Sequence, residues 1–392
     1  MVILFITNGL EPGKDGVGDY TRLLAAECIR QNHSCCLMSL NDSYVSQPVE
    51  SIDFIDGFSI PILRLPNRLS WKKRVELAVN FRARHAVDWI SLQFVCYGFN
   101  RKGVVWNLAR YFEPIIGDNP LHVMFHETWI GAGKPFSIKD RLVGKMQRYY
   151  IRKLFSRLKP HLVNASNPFY VAQLQNIGMP AVEAPLFSNI TVNFAEDEFH
   201  IPEALIQAGV CDERGLHENL WLGLFFGALY AEWKAEPFMG ILGSAAGKAG
   251  KRICLIGAGR MGGPGNVRWE KLQKNYAEAV DFITVGECTP LQISTLMRVA
   301  DFGVAATPRH LLGKSSSATA MLDHGLPVIV TRDEFVPEAP STRPLDPLVH
   351  RCDAELESKL QKGLPKRAPR DRKPEVVATF IRALAELKGP LK

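Results

Sequence analysis

The sequence predicts an α/β protein built from two doubly wound parallel-sheet domains. Three observations carry that expectation. Short, continuous, apolar runs rich in β-branched residues recur along the chain. Amphipathic stretches of helical length separate them. The alternation occurs twice, on either side of an irregular acidic break. Continuous apolar strands are buried on both faces, as in a parallel sheet covered by helices.

In the first half the runs are Val2–Thr7, Cys35–Leu40, Trp89–Phe94, Val123–His126 and His161–Asn164. In the second they are Leu222–Gly227, Ile253–Gly257, Phe282–Gly286, Phe302–Ala306 and Pro327–Thr331. The break between Asn189 and Asn219 holds Ala195-Glu-Asp-Glu-Phe199 and Cys211-Asp-Glu-Arg214. The expected division is a first domain over 1–189, a linker over 190–218, a second domain over 219–348 and a tail over 349–392. Within this, Asp333–Pro347 is irregular and proline-rich, and a basic stretch, Lys362–Lys373, precedes a last helix, Glu375–Leu387.

A chain of 392 residues suits two to three cores, and its 46% apolar and 22% charged content is that of a globular protein. No apolar run approaches the roughly 20 residues of a membrane helix. Met1–Ile6 has no basic leader and no small-residue cleavage site behind it, so it reads as a first buried strand. The expected location is the cytoplasm. The eight cysteines include no Cys-x-x-Cys pair, which points to packed thiols and to no metal site. A net charge of +7 fits phosphate-bearing substrates or an anionic membrane surface, and gives no clear nucleic-acid signal.

Five segments carry candidate chemistry. Gly257-Ala-Gly-Arg-Met-Gly262 follows a strand and fits a dinucleotide fingerprint. Gly263-Pro-Gly265 comes next, which is read as leaving no helix N-terminus for a pyrophosphate, and Asp281 is late for the ribose acid. The favoured reading is a glycine turn lining a cleft, with an NAD site as the other. Gly313-Lys-Ser-Ser-Ser317 lacks the first glycine of a Walker loop. It still places a glycine and a lysine before a serine-capped helix, whose first N–H groups suit an anion. An ordinary N-cap with a solvated lysine reads equally well.

Gly13-Lys-Asp-Gly-Val-Gly-Asp-Tyr20 joins the first strand to the first helix, with Asp19 as the expected N-cap. A flexible strand-to-helix loop is the plain alternative. His126 and Glu127 end a strand, where ligands of such sheets sit. The segment 134–159 holds nine Lys/Arg and one acid, Asp140, with Ile138, Leu142, Met146, Tyr149 and Tyr150 along one face. It reads either as a solvated surface helix or as a peripheral contact with an anionic membrane.

These residues together resemble the GT-B glycosyltransferases, and family 4 in particular. Phe302-Gly-Val-Ala-Ala-Thr-Pro308 and Met321-Leu-Asp-His-Gly-Leu-Pro-Val-Ile-Val-Thr331 are similar to that family's "ADxxxxPS…EAMAxGxPVV" segment. Gly16-Val-Gly-Asp-Tyr20 resembles its N-terminal glycine loop, Phe226–Lys234 its "GRLxxxKG" loop, and Asn164-Ala-Ser-Asn-Pro168 its "vtxSN" turn. The motifs keep the same order through most of the chain.

The resemblance implies two Rossmann-like domains facing a central cleft. A nucleotide-diphosphate sugar would be the donor substrate, bound by the second domain with no further cofactor, and an unidentified hydroxyl would be the acceptor. It implies that His126 reaches the donor sugar. Donor contacts would come from Gly16, Gly18, Lys234, Gly257, Gly259, Arg260, Gly313, Lys314, Ser315 and Ser316, and Asp19 or Glu127 would act on the acceptor. The final helix would cross back to the first domain.

Departures from the pattern are specific. The family's Glu-x7-Glu pair falls on Leu312 and Ala320, and its "GRL" arginine on Ala228. Asp323 is placed either to take over the ribose contact or to face solvent. The missing acids leave a non-catalytic nucleotide-binding protein as one alternative; the fingerprint leaves an NAD-dependent oxidoreductase as another.

Overall fold

Val2–Thr7 is buried along almost its whole length and lies near the middle of an eight-stranded sheet. Its neighbours are Ser34–Asp42 and Trp89–Phe94, both parallel to it. Outward from Trp89–Phe94 follow Leu121–Phe125, Leu162–Ala165 and Ala181–Glu183, again parallel. The other edge departs from the expected pattern: Phe58–Pro66 joins parallel to Ser34–Asp42, and Val49–Ile55 caps it antiparallel. The turn of that hairpin is Asp56-Gly57, both with positive φ, the conformation a two-residue hairpin of this type requires.

The computed structural model describes residues 1–131, 133–134, 136–192, 203–207, 211–212, 215–216, 219–230, 232–337 and 345–388. The expected linker over 190–218 lies largely outside them. The chain divides into two units. One is Met1–Asn189 with Val336–Ser341 and Lys373–Lys392; the other is Ile190–Phe335 with Thr342–Arg372.

The last helix, Lys373–Lys388, therefore belongs with the first unit. Val377 and Leu384 are fully buried, and the Phe380 ring lies 5.0 Å from His122 and 6.1 Å from Phe5. Lys373 pairs with Asp56 at 3.0 Å at the start of that helix. Burial pushes the Asp56 carboxyl up, but Lys373 and Arg30 outweigh it and hold it below its usual range.

The second unit is a six-stranded parallel sheet. Its order is Asp281–Gly286, Arg252–Ala258, Leu220–Phe226, Phe302–Ala305, Val328–Val330, Val349–Arg351. Alternate residues feed two cores. Leu222, Leu224, Cys254 and Ile256 pack on one face; Phe225, Ile253, Leu255 and Phe302 pack on the other. That two-sided burial is why these strands read as unbroken apolar runs.

Candidate functional site

From Leu220–Phe226 the second sheet grows outward to Asp281–Gly286, and the chain then returns to lay Phe302–Ala305 on the opposite side. The order reverses between those two strands. In doubly wound sheets ligands sit at the carboxyl ends there. Gly227 ends the first strand with φ +87°, and a side chain at Gly227 would come within 3.7 Å of Ser317. Gly259, φ +80°, lies close by, 3.5 Å from the Gly227 amide by the same measure.

The serine-capped helix stands at this point. It runs Ser316–Asp323, and the Ser315 hydroxyl accepts from the Ala318 amide at 3.3 Å. Ser317 Oγ lies 3.1 Å from Ser315 Oγ, and Thr307 donates to Ser315 at 3.5 Å. Three hydroxyls thus ring the first turn of a helix, where backbone N–H groups have no intrahelical acceptor. Gly313 and Lys314 belong to a 3-10 turn, Arg309–Lys314, that leads into it.

Around that turn the structure gathers cations that the sequence reading did not single out. Arg309 N donates to Arg332 O at 2.9 Å, tying the turn to the end of Val328–Val330. Asp333 receives both Arg309 and, at 2.6 Å, Arg351. Arg332 pairs with Glu334 at 3.0 Å, and its guanidinium lies 5.9 Å from the Tyr230 ring centre. His310 stacks on Phe335 at 3.7 Å. Burial, then Arg309, Lys314 and Arg332, push the His310 imidazole down to about 4. Burial is the larger cause, and the three cations act in the same direction. The available signal was position: Arg309 and Arg332 each lie just beyond the carboxyl end of a strand.

Gly257, Gly259 and Arg260 come together elsewhere on the same edge. They line a cavity of about 620 Å³ with Trp269, Glu270 and Glu287. Arg260 is held there by Glu287 through two contacts, at 2.7 and 3.0 Å. Here the reading of Gly263-Pro-Gly265 needs correcting. A helix, Gly263–Tyr276, starts directly after Gly262, because proline is tolerated in a first helical turn. Gly265 is required there, since a side chain would meet Leu229 O at 2.9 Å. Asp281 begins its strand at the amino end and pairs with Arg252 at 2.6 Å, so it is remote from the glycine turn.

Asp323 is the second correction. It neither faces solvent nor reaches the helix start. It is 1% exposed, ion-paired with Arg372, and its carbonyl accepts from Arg370 N at 2.7 Å. An eight-residue helix separates it from Ser315 by roughly 12 Å of rise. Lys234 stands exposed before helix Glu236–Ala249, beside a fully buried Trp233.

In the first unit the N-cap of helix Gly16–Arg30 is Asp15, not Asp19. Asp15 accepts from Val17 N at 3.0 Å and from Asn8 at 2.9 Å. Asp19 sits in the first turn and accepts from Gly13 N at 2.9 Å, which closes the loop onto the helix. Gly18 is buried, and a side chain would meet Gly9 O at 2.7 Å, so its role is packing. Gly16 has open space around it.

His126 is 5% exposed at the end of Leu121–Phe125. Its Nε2 lies 2.9 Å from Gln93 Oε1, and its ring meets the buried Tyr20 ring edge-on at 5.3 Å. Burial, with Cys28 nearby, pushes the Tyr20 phenol well above its usual range, so it stays neutral. Tyr20 thereby joins the glycine loop to His126. Glu127 is half-buried beyond it.

No family model matches the chain, and no curated protein matches it in sequence. Solved structures do match in shape. The catalytic domain of starch synthase IV from Arabidopsis thaliana, bound to ADP and acarbose, shares 11% identity at TM-score 0.58, covering 99% of this chain and 98% of its own. HepE from Anabaena, in complex with UDP and glucose, shares 14% at TM-score 0.54 and covers 99% of both chains. The fold is GT-B. The UDP-GlcNAc 2-epimerase of Methanocaldococcus jannaschii also matches, at 9% identity and TM-score 0.54, over 98% of this chain and 100% of its own. The GT-B fold therefore carries more than one chemistry.

Proposed function

We infer that the chain is a glycosyltransferase of the family 4 type, moving a sugar from a nucleotide-diphosphate sugar to a hydroxyl acceptor. The observation that carries this is the hydroxyl-ringed start of helix Ser316–Asp323, set at the switch point beside Lys314, Arg309 and Arg332. In this reading the acceptor oxygen attacks the anomeric carbon, the bond to the diphosphate breaks, and the acceptor proton passes to Asp19 or Glu127. Charge on the departing diphosphate is met by the Ser316 amide, the Ser315 hydroxyl, Lys314 and Lys234, with no metal called on. His126, buried and fixed by Gln93, contacts the donor sugar. Gly16, unobstructed, lets backbone approach the phosphates.

One observation favours a second reading. Leu312 and Ala320, at the positions of the paired acids, are buried in the core. A protein that binds the nucleotide without transferring sugar would tolerate that.

The experiment is a thermal-shift series with UDP, GDP, ADP, CMP and dTDP, followed by a transfer assay with the sugar of whichever binds. A ligand at about 100 times its dissociation constant adds roughly 2.7 kcal/mol. Lys314→Ala should remove most of that shift. Binding without product over a panel of sugars supports the second reading. A response to NADH alone, seen by fluorescence, would sink both.

A further inference from the structure

Helix Ile138–Leu158 has two faces of unlike origin. The inner face is fastened tightly. Ile151, Leu154 and Phe155 are buried, and the Phe155 ring packs 5.0 Å from Phe125 and 5.2 Å from Phe94. Gln147 donates to Tyr97 Oη and Lys102 O, both at 2.8 Å, and accepts from Ile130 N at 3.0 Å. A side chain at Gly144 would meet Ile130 O at 1.8 Å, so the helix lies directly on that loop. Nothing further is needed to hold it in place.

The outer face is nevertheless apolar. Ile138 is 79% exposed, Leu142 58%, Met146 51% and Tyr149 59%. At about 100° per residue these four fall within about 80° of one another, opposite the buried side, in a stripe roughly 16 Å long. An ordinary surface helix puts its charges on that side. Here the charges flank the stripe instead. Arg141, Lys145, Arg148 and Arg152 lie along one border, Lys139 lies on the other, and Lys153 stands past the end of the stripe, all exposed. None of these six enters an ion pair among the described residues, whereas Arg157 pairs with Glu113. The one acid, Asp140, is turned to the helix cap and bonds to Ser137 at 2.6 Å.

We propose that this face docks on an anionic lipid surface, with the helix lying in the plane of the headgroups. The stripe enters the acyl boundary, and the row of four cations on one border, with Lys139 on the other and Lys153 at the end, meets the phosphates. That is the pattern of an interfacial helix, in which apolar area and charge act together. A second copy of the chain is a poor occupant, because the same cationic borders would oppose each other across the contact. Among the described residues no helix is long and apolar enough to cross a membrane.

The test is flotation of the full chain with vesicles of phosphatidylcholine alone and of phosphatidylcholine mixed with phosphatidylglycerol. It needs no donor and no turnover, so its outcome is separate from that of the glycosyltransferase reading. The wild-type chain should float with the anionic vesicles at about 50 mM salt and release as salt is raised. Leu142→Gln with Met146→Gln keeps the charge and should weaken partition by about tenfold or more. Lys145→Gln with Arg148→Gln and Arg152→Gln should do the same. All five positions are exposed, and circular dichroism of each variant checks the fold.

Three results overturn the proposal. Absence of flotation with anionic vesicles at low salt ends it. So does wild-type partition of the Leu142→Gln, Met146→Gln variant, which would mean diffuse electrostatic adhesion. So does a dimer, seen by sedimentation without lipid, that the same variant abolishes.

Discussion

His126 Nε2 donates to Gln93 Oε1 at 2.9 Å, and that bond is the last in a buried series crossing three strands. Asn164 Nδ2 donates to Val182 O, which leaves its Oδ1 to accept from His122 Nε2 at 3.1 Å. His122 Nδ1 then accepts from Ser91, at 2.8 Å, and Ser91 accepts from Gln93 Nε2 at 2.9 Å. Each step fixes the next, so the tautomer of His126 is set from Asn164. Gln93→Leu should remove the amide that donates to the Ser91 hydroxyl and the amide oxygen that accepts from His126 Nε2. The expected cost is about 1–3 kcal/mol, read by urea unfolding. A loss below about 0.5 kcal/mol would mean the series is not rigid.

The same series makes the first unit sensitive to acid. Burial pushes His122 down to about 4 from 6.5, with Asn164 opposing only in part. Between those values the unfolded chain binds a proton that the folded chain refuses. Stability is therefore full above about 6.5 and falls as pH drops toward 4, by on the order of 3 kcal/mol. Urea midpoints across that range should show the decline, and His122→Gln should flatten it. Asp42 acts lower down. Its burial is outweighed by Arg64 and the Tyr44 amide, so its carboxyl titrates below 3.8 and its contribution is lost only beneath that value.

Two glycines separate backbone strain from lack of space. Gly325, after helix Ser316–Asp323, has φ +72°, and a side chain would meet Arg367 O at 1.9 Å. Gly250, after helix Glu236–Ala249, has φ +62° with nothing within 4 Å. Gly250→Ala should cost about 1 kcal/mol, the ordinary left-handed penalty. Gly325→Ala should cost about 3 kcal/mol or more, because Arg367 must also move. Equal melting temperatures for the two variants would refute the contact.

Most strands were legible because burial on both faces writes itself as an apolar run, as in Trp89–Phe94 and Phe302–Ala305. The hairpin Val49–Ile55 and Phe58–Pro66 was not, although Asp56-Gly57 marks its turn. Its outer strand alternates half-buried and exposed residues, which a search for continuous runs passes over. Asp15 and Asp19 are four residues apart, and only the loop path decides which one caps. Gly313–Ser316 was legible because the whole feature is local. Arg309, Arg332 and Arg351 were not, since they approach one another only through the sheet order. Asp323 was misplaced because its partner, Arg372, lies 49 residues on.

Those arginines lead to a measurement on the proposed donor site. After burial, the largest cause, Arg309, Lys314 and Arg332 push the His310 imidazole down and Asp333 opposes them, so all three cations stand around that ring. An incoming diphosphate would bring negative charge to these cations. Arg332 is well placed to feel it, lying just past Val330 with its guanidinium near Tyr230. Affinity for the nucleoside diphosphate that binds should therefore fall as salt rises. Arg332→Gln should weaken binding by about tenfold at low salt and make the salt dependence shallower, since one cation has gone. Calorimetric titration at two ionic strengths reads both effects. An Arg332→Gln protein with unchanged affinity and an unchanged salt slope would remove this cluster from the donor site and leave Lys314, Lys234 and the helix start to relieve its charge.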